Sequence, residues 1–225
     1  QKYGAKYAEA RAQKLYKTAL TVKEERVEAA KQGIENGVAL RVLVNGAWGF
    51  ASVGSFDGAI LEGAVSDACR MAKLASERLK TPIKLADAKV VNERVLSKPI
   101  KNPSDILMED KIKTALAVNK TSLGFDKRIK SCSVDYFDLT GTSTFVNSDG
   151  TCVEQDKLYV WARMTASAVN EGVFTFSRQE IGSTAGYELF DEQTPEALGE
   201  KVARLAIEQL NAKSPRGGKF PVVLG

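Results

Sequence analysis

The sequence predicts an α+β fold of two consecutive units, each a mainly antiparallel sheet with packed helices. Three observations predict it. Apolar and polar residues alternate with a period of two through much of 7–53 and 129–181, glycine-bearing turns separate those runs, and helical spacing governs 58–80, 106–121 and the stretch after 194. In order the elements read β-β-β-β-α, a linker, α-β-β-β-β-α, and a final strand. The expected domains are 1–91 and 106–212, joined by a linker at 92–105, with 213–225 opening a further unit.

Residues 1–33 are rich in Ala, Lys and Glu and favour helix by propensity. The pattern opposes that reading. Tyr7, Glu9, Arg11, Gln13 and Leu15 alternate with Ala8, Ala10, Ala12, Lys14 and Tyr16, and Thr18, Leu20 and Val22 continue the alternation. Pattern outranks propensity, so two long strands are expected, followed by a turn at Gly33 and Gly37. Strands at 38–44 and 47–53 then flank Asn45-Gly46, the favoured pair for a two-residue hairpin because both positions take positive φ. In the helix over 58–80, Leu61, Val65, Ala68, Ala72, Ala75 and Leu79 share one face and Asp57 is the expected N-cap.

Pro99 and Pro103 among polar residues mark the linker. After the helix at 106–121, strands are expected at 129–139, 142–147, 151–169 and 172–181, with turns at Ser148-Asp149-Gly150 and Asn170-Glu171-Gly172. Thr194-Pro195-Glu196 is a strong helix start, with Thr as cap, Pro preformed for the first position and Glu suited to the macrodipole. Ser214-Pro215-Arg216-Gly217-Gly218 breaks the chain before an apolar, strand-like run at 220–225. That run and the opening Gln1 both read as interior pieces of a longer protein.

The chain has 225 residues, 32 Lys plus Arg against 28 Asp plus Glu, three cysteines and no histidine. Without histidine these residues hold no Ser-His-Asp triad, no Cys-His pair and no imidazole metal ligand. A formal charge of +4 without a basic-aromatic stripe argues against a nucleic-acid groove. Cys69, Cys132 and Cys152 match no zinc spacing and suit a reducing, cytoplasmic setting. No run approaches the ~18 apolar residues of a membrane span. Asn119-Lys120-Thr121 is a glycosylation sequon by chance.

Side chains that could carry chemistry each have a blander reading. Gly217-Gly218-Lys219 lacks the Ser or Thr and the upstream Gly of a phosphate loop. Gly182-Ser183-Thr184-Ala185-Gly186 is a connection between elements. Asp135 and Asp138 fall on opposite faces of a strand and read as edge solubility. Trp48 and Phe50 share a strand face and read as core, and Trp161 beside Arg163 reads as cross-strand packing. Lys157 reads as surface charge.

Several segments together resemble the TldD/PmbA family, the modulators of DNA gyrase. They are Tyr7-Ala8-Glu9-Ala10-Arg11, then Gly37-Val38-Ala39-Leu40-Arg41-Val42-Leu43, and most specifically Asn45-Gly46-Ala47-Trp48-Gly49-Phe50-Ala51-Ser52. Phe145-Val146-Asn147-Ser148-Asp149-Gly150 with Glu154-Gln155, Lys213-Ser214-Pro215 and Lys219-Phe220-Pro221-Val222-Val223-Leu224 extend the likeness over nearly the whole chain. The resemblance implies that Arg11, Gly37, Arg41, Gly46, Trp48, Gly49, Phe50, Asn147, Gly150 and Gln155 are signature positions with structural roles. It further implies a cytoplasmic zinc-dependent peptidase, or its inactivated homologue, acting on peptide or protein as a homo- or hetero-dimer with another family member. Its metal would sit on a His-Glu-x-x-x-His segment beyond position 225, leaving no catalytic or metal residue here. A metal-free PmbA-type peptide-binding subunit is the alternative reading, and a DNA-gyrase modulator a weaker one.

Overall fold

Long hairpins build one sheet. The computed structural model describes residues 3–213 and 216–223. The first strands are β1 (Tyr7–Lys23), β2 (Arg26–Val44) and β3 (Ala47–Val53), followed by helix α1 (Gly58–Ser76). A short strand β4 (Asn92–Val95) and helix α2 (Met108–Gly124) precede β5 (Ile129–Asn147), β6 (Cys152–Asn170) and β7 (Val173–Ser183). Helices α3 (Leu189–Glu192) and α4 (Pro195–Leu210) complete the fold. The strands form a seven-stranded sheet in the order β3-β2-β1-β5-β6-β4, with β7 also on β6. All pairs are antiparallel except β4 with β6.

The α+β class and the hairpin order match the sequence reading, but the strand count does not. Three strands, not four, precede α1, because β2 runs unbroken through Gly33 and Gly37. The reversal expected there occurs instead at Glu24-Glu25, both at positive φ (49° and 59°). Likewise β5 passes through Gly141, where a break was expected, so three long strands follow α2. Gly141 lies where β1 and β5 approach closely: an added Cβ would stand 2.0 Å from the Lys14 carbonyl oxygen. The expected linker is partly regular, with β4 parallel to β6 and a 3-10 turn at Pro103–Asp105. Ser214, Pro215, Leu224, Gly225 and Gln1 lie outside the described residues, and 216–223 form no strand.

Local signals were obeyed elsewhere. Asn45 and Gly46 take φ of 49° and 79°, and Glu171-Gly172 closes the β6–β7 hairpin with φ of 48° and 81°. The Asp57 carboxylate accepts from the amides of Ala59 and Ile60, and the Thr194 hydroxyl accepts from Ala197.

All the long helices cover one face of the sheet. Near one end α1 lays Ala68, Cys69 and Ala72 on Val42 and Val44, and Ala64 on Val38 and Leu40. Near the other, α2 and α4 bring Val118, Val202 and Ala206 against Leu20, Val22, Val134, Val160 and Met164. Even-numbered β1 residues enter both cores, Ala10 and Ala12 at one end and Leu20 and Val22 at the other, so both lie on the same side.

Within the second core sits a buried ion pair. The Lys111 ammonium on α2 donates to Asp138 at 2.6 Å, with side chains only 1% and 4% exposed. It also reaches the Thr18 hydroxyl at 3.3 Å, while the Tyr136 hydroxyl donates to the same Asp138 oxygen at 2.5 Å. Burial, reinforced by the Asp138 charge, pushes the Tyr136 phenol far above its ordinary value and keeps it a donor. Neither Asp138 nor Asp135 is an edge residue, since β5 lies between β1 and β6. Asp135, on the opposite face as expected, accepts from Thr21. A second buried anchor, Asn119, donates to the Cys132 carbonyl and accepts from the Glu25 amide, tying α2 to the β1–β2 turn. Its burial is consistent with a chance sequon.

Two outcomes follow. Lys111→Met should cost about 3–5 kcal/mol in urea denaturation by stranding a buried carboxylate, whereas Lys111→Met/Asp138→Leu should recover most of that loss. Gly141→Ala should cost more than about 2 kcal/mol through the clash with Lys14, while Gly33→Ala, with open space around its Cβ position, should stay within about 1 kcal/mol.

Candidate functional site

The sheet face opposite the helices holds a cluster of arginines and aromatic rings. It is built by alternation: Tyr7, Glu9 and Arg11 on β1 are paired with Leu43, Arg41 and Ala39 on β2 and with Asn147 and Phe145 on β5. Trp48 and Phe50 on β3 complete the face beside Leu43 and Arg41. The Arg41 guanidinium lies 4.4 Å from the Trp48 ring centre and pairs with Glu9 at 2.8 Å. Tyr7 donates to the other Glu9 oxygen at 2.7 Å and meets Trp48 edge-on at 6.0 Å. Burial and the Glu9 hydrogen bond raise the Tyr7 pKa, so the phenol stays a donor. Arg11 stacks 5.5 Å from the centre of the Phe145 ring. Unlike Arg41, it has no ion-pair partner among the described residues.

The signature positions divide into two groups. Arg11, Arg41, Trp48, Phe50 and Asn147 converge on this face. Gly46 serves the β2–β3 turn, and Gly49 lets α1 approach, since an added Cβ would lie 1.9 Å from the Ala68 carbonyl oxygen. Asn147 holds the β5–β6 loop, its side-chain oxygen accepting from the amides of Asp149 and Thr151, with Gly150 at φ 99°. Its amide also donates weakly to the Tyr7 hydroxyl, 3.4 Å away. Gly37 lies on β2 opposite Gln13, and exposed Gln155 on β6 accepts from Lys157 rather than joining the cluster.

Trp48 and Phe50 depart from the core reading. Phe50 is 58% exposed and Trp48 is half-buried beneath Arg41, because α1 occupies the other face, against Gly49. Trp161 packs between strands as expected, with Arg163 4.8 Å from its ring centre and itself paired to Glu180. The Lys111–Asp138 pair escaped sequence reasoning. Its trace is there: Lys111 falls in register with the buried α2 positions Ala115, Val118 and Ser122.

This face presents charge, hydrogen-bonding groups and aromatic rings, with no cysteine beside a base among the described residues. Cys69 and Cys132 are buried, and burial raises both thiol pKa values. Cys152 is exposed on β6. Among the described residues no group of three or more Cys, Asp or Glu is placed to hold a metal ion. With no histidine in the sequence, the donor set does not fit a zinc site. No helix among the described residues is long and apolar enough to cross a membrane.

Beside this face, β2 is paired on its outer side by β3 only over Val38–Val44. Residues 26–36 of β2 form a free outer edge and, apart from half-buried Ala29, are exposed.

Comparison with known proteins gives this architecture its relatives. Residues 8–72 match the model of the PmbA/TldA metallopeptidase domain 1, and residues 101–210 match that of the PmbA/TldA metallopeptidase central domain. A metalloprotease of Methanocaldococcus jannaschii is 30% identical over 207 residues, covering 91% of this chain and 45% of that protein. The crystal structure of a proposed modulator of DNA gyrase from Bacteroides thetaiotaomicron superposes with a TM-score of 0.78 at 19% identity, covering 97% of this chain and 49% of that one. TldE from Thermococcus kodakarensis superposes with a TM-score of 0.66 at 17% identity, covering 92% of this chain and 45% of that one. At those identities the two structures speak for the fold alone. The chain spans under half the length of the metalloprotease relative. Two domain models matched in order and the order of strands and turns lead to one conclusion: the chain belongs to the PmbA/TldD family, of which it carries the first and central domains.

Proposed function

We propose that these residues form the substrate-binding wall and part of the dimer interface of a cytoplasmic PmbA/TldD-type zinc peptidase, with the metal held elsewhere in the parent protein. The observation that carries this reading is the contrast between relatives and residues. The related protein is called a metalloprotease and is more than twice as long as the matched part, yet the residues here do not fit zinc. No catalytic step is therefore assigned to them. The proposed domain limits are 1–91 and 106–212, and the two matched ranges fall largely within them.

Binding fits the free edge of β2. A substrate in extended conformation gains backbone hydrogen bonds by adding to an unpaired strand, with little demand on its side chains. Residues 26–36 supply such an edge, and the adjoining arginine–aromatic face supplies side-chain contacts. For the dimer, Phe174 and Phe176 on β7, 63% and 51% exposed, lie on the helix-free face and are the proposed contact with a second family member. Three free cysteines suit the cytoplasm.

The second reading is that the parent is a metal-free PmbA-type binding subunit partnered with an active homologue. Zinc analysis of the parent protein separates the two. A DNA-binding role has less support, given a net charge of only +4.

The chain of 225 residues by itself is expected to carry well under one zinc per molecule by elemental analysis and to leave peptides intact. Stoichiometric zinc with hydrolysis would refute the assignment. Hydrogen exchange with and without a saturating alternating Thr-Val octapeptide should show new protection within residues 26–36. Protection confined to other segments would remove β-addition at this edge.

A further inference from the structure

Where the free edge of β2 meets the end of β3, the helix-free face carries a depression of about 320 Å³. Two cross-strand rows shape it. Arg11, Ala39 and Ser52 form one, and Gln13 with Gly37 form the next, just past Val53, the last β3 residue in the ladder. Ala39 and Gly37 are among the small residues that line it, and the Val53 carbonyl oxygen stands 2.7 Å from where a Cβ of Gly37 would lie. Arg11 and Gln13 stand on one side, Ser52 on the other, and Glu35 beyond.

Charge around the depression is uneven. Glu35 is paired with Lys17, and Glu9 is paired with Arg41. Arg11 alone is uncompensated. Its guanidinium carbon lies 5.5 Å from the Phe145 ring centre, and none of its N–H groups is taken up by an ion pair among the described residues. Those groups form a fork of donors suited to a carboxylate.

The strand ladder supplies a direction. A peptide adding along residues 26–36 cannot pass Val38, whose outer partner is already Val53. Its end must stop beside Gly37. If the peptide runs parallel to β2, that end is its C-terminus; if antiparallel, its N-terminal ammonium. The unpaired positive charge of Arg11 favours the first and repels the second.

We propose that this depression is a subsite for the C-terminal carboxylate of a bound peptide, with Arg11 as its anchor and Gln13 and Ser52 as neutral hydrogen-bonding neighbours. The inference rests on the β-addition reading above and adds to it a polarity and a preference for free carboxyl ends. The peptide would lie parallel to β2, with its last residue beside Asn36 and Gly37.

Fluorescence anisotropy with an N-terminally labelled octapeptide of alternating Thr and Val, as free acid and as C-terminal amide, tests this on the intact chain. The free acid should bind about tenfold more tightly than the amide, the scale of a charge-assisted hydrogen-bond pair at an accessible site. Arg11→Gln should abolish that preference, bringing the affinity of the free acid down to that of the amide. Equal affinity for acid and amide, or a preference surviving Arg11→Gln, overturns the subsite and leaves strand addition standing. Failure of both peptides to bind overturns strand addition and the subsite together.

Discussion

The fold depends on a charge buried where water cannot reach it. Lys111 and Asp138 meet beneath α2, at the seam where β1 and β5 pair. Desolvating two such groups is costly, and the pair persists only because each is otherwise occupied. Tyr136 donates to the carboxylate, and Thr18 accepts from the ammonium. Those partners come from a helix and two adjacent strands. Oily packing alone would let α2 slide along the sheet with little penalty. A single buried cation that must find a single buried anion permits one register.

With α2 fixed, the helix-free face is set by elimination. All helix packing falls on the other side, so polar and aromatic residues that share a face with Arg11 have no core to enter. They satisfy one another instead: Arg41 with Glu9 and Trp48, Tyr7 with Glu9, Arg11 with Phe145. A face stabilised by stacking and ion pairs rather than by burial stays open to solvent.

Much of this was legible in the sequence where the deciding physics is local. Asn45-Gly46, Glu171-Gly172, the Asp57 and Thr194 caps and the alternation in β1 concern residues within one or two turns of each other. The misreadings share a different origin. Gly33, Gly37 and Gly141 look like turn residues in isolation, yet each lies inside a strand. At Gly141 the reason is the approach of Lys14, more than a hundred positions earlier in the chain. The same holds for the face itself. Alternation and the β2–β3 hairpin place Arg41 and Trp48 together, but Phe145 and Asn147 arrive only through the β1–β5 pairing, which no periodicity reveals. Asp138 was misread for that reason too: a carboxylate looks like surface until its lysine is found on another element.

The β1–β5 ladder carries a further consequence. Fifteen residues of each strand pair continuously, from Glu9 with Asn147 to Lys23 with Ser133, and so pass beneath α1 at one end and α2 at the other. The two ranges matched by family models pack against different helices, but one continuous ladder runs through both. Neither can melt without unzipping hydrogen bonds that belong to its neighbour. A push on the β2 edge is felt along a ribbon roughly 50 Å long, at about 3.3 Å per residue. Mechanically the pair behaves as one plank.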